Sequence, residues 1–232
     1  MDRRMIQSLF NSETLQQAFF SVAHAICPPR CLACDALEPS PFCQICENAL
    51  LHSNGPPPQS PDRHLGSLWL YGGPLSQAYG KTKFSKQPLQ MKRLLTWLLI
   101  HGLTDKHQSL FQQHEWSVIS WIPAHPFRRL QRGFNAAHFF AMLLGAHLQI
   151  PVAACLECIR YDAPFSMGSS KADRQKSIQG RYRARTGPSK AKILLVDDIC
   201  TTGTTLGEAS KQLAQTGAQV QTFSLAQTPK QA

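Results

Sequence analysis

Lys192 to Gln215 reads KILLVDDICTTGTTLGEASKQLAQ, and this stretch restricts the possible fold more than any other. Ile193 to Val196 is an unbroken run of apolar, β-forming residues, which suits a strand buried on both faces of a parallel sheet. Asp197 and Asp198 follow at its carboxyl end, where open α/β sheets bind ligands. Thr201, Thr202, Gly203, Thr204 and Thr205 come next. A helical pattern then runs through Leu206, Ala209, Leu213 and Ala214, with Gly217 as its stop.

The order of these groups carries chemistry. Hydroxyls and backbone N–H groups at a helix N-terminus make an anion site suited to phosphate. Gly203 admits a close approach because it has no Cβ. Two carboxylates beside that site repel a phosphate, but they accept hydrogen bonds from sugar hydroxyls. The combination is a sugar-phosphate site. It lacks the GxxxxGK[ST] order of a P-loop and the GxGxxG of a dinucleotide fold. No serine sits in a nucleophile elbow near a histidine, so nothing in the sequence points to a Ser-His-Asp hydrolase.

ILLVDDICTTGTT resembles the 5-phosphoribosyl diphosphate (PRPP) motif of type I phosphoribosyltransferases. The resemblance implies that Asp197 and Asp198 hold the ribose hydroxyls. It implies also that Thr201, Thr202, Gly203, Thr204 and Thr205 wrap the 5-phosphate, and that Mg²⁺ arrives with PRPP.

A second signal lies near the N-terminus. Cys31, Cys34, Cys43 and Cys46 form two CxxC pairs, eight residues apart. Each pair is a knuckle aiming two thiolates at one point, and two knuckles complete the closed tetrahedral site of structural Zn²⁺. Cys27 is the spare. A segment this short has too little core to hold itself without a metal. The chain has eight cysteines and no apolar secretory core at its start, which favours reduced thiols over disulfides and a cytoplasmic location. The longest apolar stretch, near Leu94 to Leu103, is interrupted and too short to span a membrane.

The rest of the chain fills in around these two sites. Residues 1–26 read as a partly amphipathic helix. Residues 53–62 read as a linker rich in proline. His64 to Tyr71 has strand character. Tyr79 to Arg93 places Lys81, Lys83, Lys86, Lys92 and Arg93 around Phe84. Such a mix either tracks a nucleic-acid backbone or faces water with one anchoring ring. Leu89 to Leu99 is helical by pattern. Val118 to Ile122 is a second internal strand. It runs into a proline-containing turn and a basic loop with Arg128, Arg129 and Arg132. Asn135 suits the N-cap of a helix through Gln149. Cys155 and Cys158 fall on a strand, pointing to opposite faces. Val220 to Leu225 is the last strand. Cys200 reads as a small buried residue, with a reactive thiol as the alternative.

Taken together, the CxxC…CxxC head, the Lys-Phe segment, the Pro-x-x-Pro turn, Arg132-Gly133-Phe134-Asn135 and VDDICTTGTT resemble the ComF family of competence-associated proteins from about Cys27 to Thr228. This chain departs from the family pattern at Ala136, Ser166 and Ser169. The implied architecture is α/β: a type I phosphoribosyltransferase fold over residues 63–232, with a mostly parallel central sheet flanked by helices. A small four-cysteine zinc-binding domain precedes it at 27–52. The implied function is natural transformation, with binding of incoming single-stranded DNA in the cytoplasm. Partners would come from the DNA-uptake machinery, a helicase or channel component. Lys83, Lys86, Arg128, Arg129, Arg132 and Arg181 are the candidate phosphate contacts. Arg128, Arg129 and Arg132 also stand where the resemblance puts the pyrophosphate loop. A formal charge of +10 agrees with a polyanionic partner. The alternative is an active phosphoribosyltransferase with an unidentified acceptor.

Overall fold

A computed structural model describes residues 28–52, 64–161, 178–185 and 190–229. The expected N-terminal helix, Cys27, the linker and residues 162–177 lie outside these residues.

In chain order, α1 (Gln44–His52) is followed by β1 (His64–Leu70), α2 (Gly73–Phe84), α3 (Pro88–Gly102) and α4 (Asp105–Gln112). Next come β2 (Val118–Trp121), α5 (Pro126–Arg132), α6 (Ala136–Leu148) and β3 (Leu156–Cys158). The last elements are β4 (Tyr182–Ala184), β5 (Lys192–Cys200), α7 (Thr204–Ala214) and β6 (Gln219–Gln227). The main sheet has the order β1-β6-β5-β2, and every pairing in it is parallel. β3 and β4 form a separate antiparallel pair.

The apolar run of β5 explains the layering. Successive side chains of a strand point to opposite faces. Leu194 and Val196 enter one core, with Ile119, Phe140, Leu144 and Phe223. Ile193 and Leu195 enter the other, with Val118, Leu206, Ala209 and Leu213. Helices α3 and α6 cover the first face and α7 the second. Burying each such Leu, Ile or Phe contributes about 1.5–3 kcal/mol.

The cysteine head shares the first core. Phe42 and Leu50 are almost fully buried there beside Trp69 and Leu94. The Phe42 ring meets Trp97 edge-on at 4.9 Å, and Trp97 stacks on Trp69 at 5.9 Å. The Trp69 indole N–H donates to the Leu98 carbonyl at 2.8 Å. Gly102 closes α3 against this indole, and a Cβ there would overlap the Trp69 ring nitrogen. Gly102→Ala is therefore expected to displace Trp69 and destabilise the protein by about 1–3 kcal/mol. Scanning calorimetry would register this as a lower melting temperature. An unchanged midpoint would mean that the indole shifts without cost.

Several elements differ from expectation. β5 continues through Asp197 and Asp198 to Cys200, still paired with β6. β2 stops at Trp121, opposite Val196, so the acids lie where β5 has lost one neighbour. The arginine segment is a short helix, α5, rather than a loop. Pro126 opens it, the His125 ring accepts the Phe127 N–H at 3.3 Å, and Gly133 ends it at φ 79°. The Lys-Phe segment is split between α2 and α3, with Lys86 at φ 56° in the turn between them. Phe84 is 76 % exposed and anchors nothing. Helix α4 went unanticipated because its eight residues bury only Phe111 and leave little apolar period to read.

Candidate functional site

The site begins where β5 outruns β2. Asp197 is buried, accepts the N–H of Asp198 at 2.9 Å, and has Asp198 beside it. Burial and the neighbouring charge of Asp198 push the Asp197 carboxyl well above the usual carboxylate range. Burial acts on Asp198 in the same direction. There the Lys83 ammonium, the link to Asp197 and the Tyr79 hydroxyl more than offset it, and hold the carboxyl well below that range. Lys83 Nζ lies 3.1 Å from Asp198 Oδ2, and the Tyr79 hydroxyl donates to the same oxygen. The pair is thus split into one anion and one carboxyl that favours its proton.

Beyond β5 the chain turns at Gly203, with φ 73°, into α7. No side chain caps this helix strongly: the nearest is the Thr202 hydroxyl, 3.5 Å from the Thr204 N–H. Thr202 and Thr204 join their hydroxyls at 2.7 Å. Thr201 and Thr202 are exposed, while Gly203, Thr204 and Thr205 are half-buried. Thr228 steadies the loop from the end of β6 by donating its hydroxyl to the Thr201 carbonyl at 3.1 Å. Cys200 is buried, and burial together with Asp197 pushes its thiol up to about 11, which removes the reactive-thiol alternative.

A cavity of about 240 Å³ joins these parts. Asp197, Asp198 and Thr205 lie on its wall, and so do Lys83, Arg128, Arg132, Arg160 and Arg181. It has carboxylates at its floor and guanidinium groups at its rim. Of the anticipated residues, Arg129 is not on this wall. It lines a neighbouring cavity of about 960 Å³ with Trp121, Phe134 and Phe139. Lys86 lies outside both, exposed in the α2–α3 turn. Lys83, expected on an outer face, is turned inward onto Asp198. Tyr79 and Arg160 were missed. Tyr79 and Lys83 stand four apart on one helix, but nothing local shows that this face meets β5.

The four cysteines converge as their spacing requires. Their sulfur atoms all lie within 4.8 Å of one another, and those of Cys34 and Cys43 are 3.6 Å apart. Sulfurs around a tetrahedral zinc are separated by about 3.8 Å, so the donor set fits a metal of that kind. The first knuckle is a tight turn in which Cys31 N–H donates to Ala36 O at 2.8 Å and Asp35 N–H to Cys31 O at 3.0 Å. Asp35 takes a left-handed φ of 64°. The second knuckle enters α1. Burial raises the Cys31 thiol, but the backbone N–H groups of Cys34, Cys43 and Ala33 more than compensate and lower it to about 7. Burial and the other three sulfurs push Cys46 upward. Lys81 of α2 ties the head down, reaching Ala33 O at 2.8 Å and Asp35 Oδ2 at 2.5 Å.

Fold and site together define a parallel-sheet α/β protein with a carboxylate-floored, basic-rimmed cavity and a four-cysteine head that can hold a metal. Among the described residues, no helix is long and apolar enough to cross a membrane. The chain is similar to Competence protein F of Haemophilus influenzae, at 28% identity over 160 residues, 67% of this chain and 69% of that protein. It is also similar to DNA utilization protein YhgH of Escherichia coli, at 26% identity over 204 residues, 81% of this chain and 84% of that one. Similar solved structures include the glutamine PRPP amidotransferase of B. subtilis, with a TM-score of 0.38 and 19% identity over 58% of this chain and 26% of that one. Adenine phosphoribosyltransferase of Saccharomyces cerevisiae has a TM-score of 0.37 and 13% identity over 62% of this chain and 71% of that one. No protein-family model matches the chain.

Proposed function

We propose that the protein serves DNA uptake in the cytoplasm, binding single-stranded DNA, and that its cavity takes the ribose phosphate of PRPP. One observation carries the cavity's part: the acid pair, the Thr205 end of the phosphate loop and a basic rim line one space. The carboxylates suit the ribose hydroxyls, Thr201 to Thr205 the 5-phosphate, and Arg128 and Arg132 the diphosphate. Magnesium would enter with PRPP, held mainly by substrate oxygens and water. The names of the two relatives support the DNA side of this reading. The protein partner would belong to the uptake machinery, and zinc would fill the cysteine head. The second reading, transfer of the phosphoribosyl group to an acceptor, uses the same cavity. The rim would then stabilise the departing diphosphate.

The two halves are tested separately. PRPP with Mg²⁺ at about 100 times its dissociation constant adds about 2.7 kcal/mol to stability and raises the melting temperature; no rise sinks the cavity's assignment. For DNA, three backbone contacts not assigned to PRPP, from Lys86, Arg129 and Arg181, give a log–log salt slope of about −2.1, or about 20-fold weaker binding of an oligonucleotide between 50 and 200 mM salt. Binding indifferent to salt sinks the DNA assignment.

A further inference from the structure

Tyr79 and Lys83 lie one turn apart on α2, so they share a face. Both reach Asp198 Oδ2, the tyrosine as hydroxyl donor and the lysine at 3.1 Å. Lys83 Nζ also donates to the Tyr79 oxygen at 3.1 Å and stands 4.8 Å from the ring centroid. Asp198 Oδ1 accepts the Ile199 N–H at 2.9 Å. An ionised carboxylate offers about four acceptor directions. Three are therefore taken before any ligand arrives, and the side-chain link to Asp197 engages the carboxylate as well. Tyr79 is 2 % exposed, so its hydroxyl has no bulk water to turn to.

We propose that Tyr79 and Lys83 are positioning residues for Asp198: they lock its rotamer on the cavity wall in the setting that receives a hydroxyl of the ligand's sugar. This rests on the sugar-phosphate reading of the cavity. It gives Lys83 a different role from DNA contact. An ammonium already spent on a carboxylate inside the cavity adds little to a phosphate track outside it. It offsets instead the repulsion that two adjacent carboxylates exert on an anionic ligand. Among the described residues, the other charged or titratable groups around Asp198 are Asp197 on β5, Tyr71 after β1, His125 before α5, Arg128 and Arg132 on α5, and Cys158, Arg160, Arg181 and Tyr182 across the cavity.

The experiment is calorimetric titration of the full, metal-loaded chain with Mg²⁺–PRPP, comparing wild type with Lys83→Met, Lys83→Arg and Tyr79→Phe. Lys83→Met is expected to weaken PRPP about 10–100-fold and Tyr79→Phe about tenfold, with the fold intact by circular dichroism. Lys83→Arg keeps the charge and is expected to recover part of the affinity that Lys83→Met loses. Wild-type affinity in both Lys83→Met and Tyr79→Phe overturns the proposal. Should wild type itself bind no PRPP, the sugar-phosphate reading fails, and the Asp198 clamp is decided by carboxyl NMR. Asp198 in wild type then stays ionised to lower pH than in Lys83→Met; equal midpoints overturn the clamp as well.

Discussion

Replacing Asp197 with asparagine is expected to stabilise the ligand-free protein and to weaken PRPP binding by about 100-fold. The carboxyl is buried beside Asp198, and its main hydrogen bond is an acceptance from the Asp198 N–H. The amide oxygen of asparagine accepts the same bond. What disappears is a buried like-charge interaction, worth about 1 kcal/mol once Asp197 ionises. For a chain of this size that is a rise of about 2–4 °C in melting temperature. Binding moves the other way, because a carboxylate acceptor for a sugar hydroxyl is lost, at about 2–3 kcal/mol. The sign of the pH dependence follows from the raised Asp197 value. The folded state holds that proton more tightly than the unfolded chain does. The wild-type contribution is thus fully present below the ordinary carboxylate range and is lost as pH rises through the raised value. The advantage of Asp197→Asn therefore grows from acid toward neutral pH. Melting curves and titrations at pH 5 and 8 would check both halves. A variant that melts lower and still binds PRPP as wild type would make the acid pair a structural feature only.

Removing the metal expected in the head is the second large effect. Chelation is expected to lower the melting temperature by more than about 10 °C and to change the fluorescence of Trp97. The reason is packing. Phe42 and Leu50 belong to the same core as Trp69 and Trp97, so losing the head opens the main domain and not only an appendage. Free energies of about 10–16 kcal/mol are usual for small structural zinc sites, far above what two buried side chains supply. Metal retention should weaken as pH falls, because protons compete with the metal for the four thiolates. Elemental analysis that finds less than one tightly held metal per chain, or an unchanged melting curve after chelation, would refute this.

What could be read from sequence was what is local. The strand, acid pair and Thr-Gly loop occupy consecutive positions, so their order alone placed the acids at the carboxyl end of β5 and the loop ahead of α7. The cysteine spacing revealed its cluster for the same reason, because each knuckle closes within four residues. The N-cap role of Asn135 is local too, and its side chain accepts the Ala137 N–H at 3.0 Å. What failed was facing. Arg128 and Arg132 are four apart and turn to the acid cavity, while Arg129 between them turns to the next one. That difference depends on the segment being helical, and three arginines after two prolines read as a loop. Gly133 as a left-handed stop was the available sign that they were not. Tyr79 meets Asp198 across 119 positions of sequence, a distance that no periodicity spans.

Helix α2 behaves like a spindle clamped at both sides. Lys81 and Lys83 are two positions apart, so they leave the helix in nearly opposite directions. One ammonium is fastened to the cysteine turn through Asp35 and Ala33 O, and the other to the floor of the cavity through Asp198. Rolling this rod about its axis would lengthen both tethers at once. The rotational setting that brings Tyr79 to Asp198 is set by the buried face of Leu75, Ala78 and Thr82, and the Lys81 contacts on the far side agree with it. The cysteine turn, with no atom in the cavity, is thereby joined through one helix to the carboxylate on the cavity's wall.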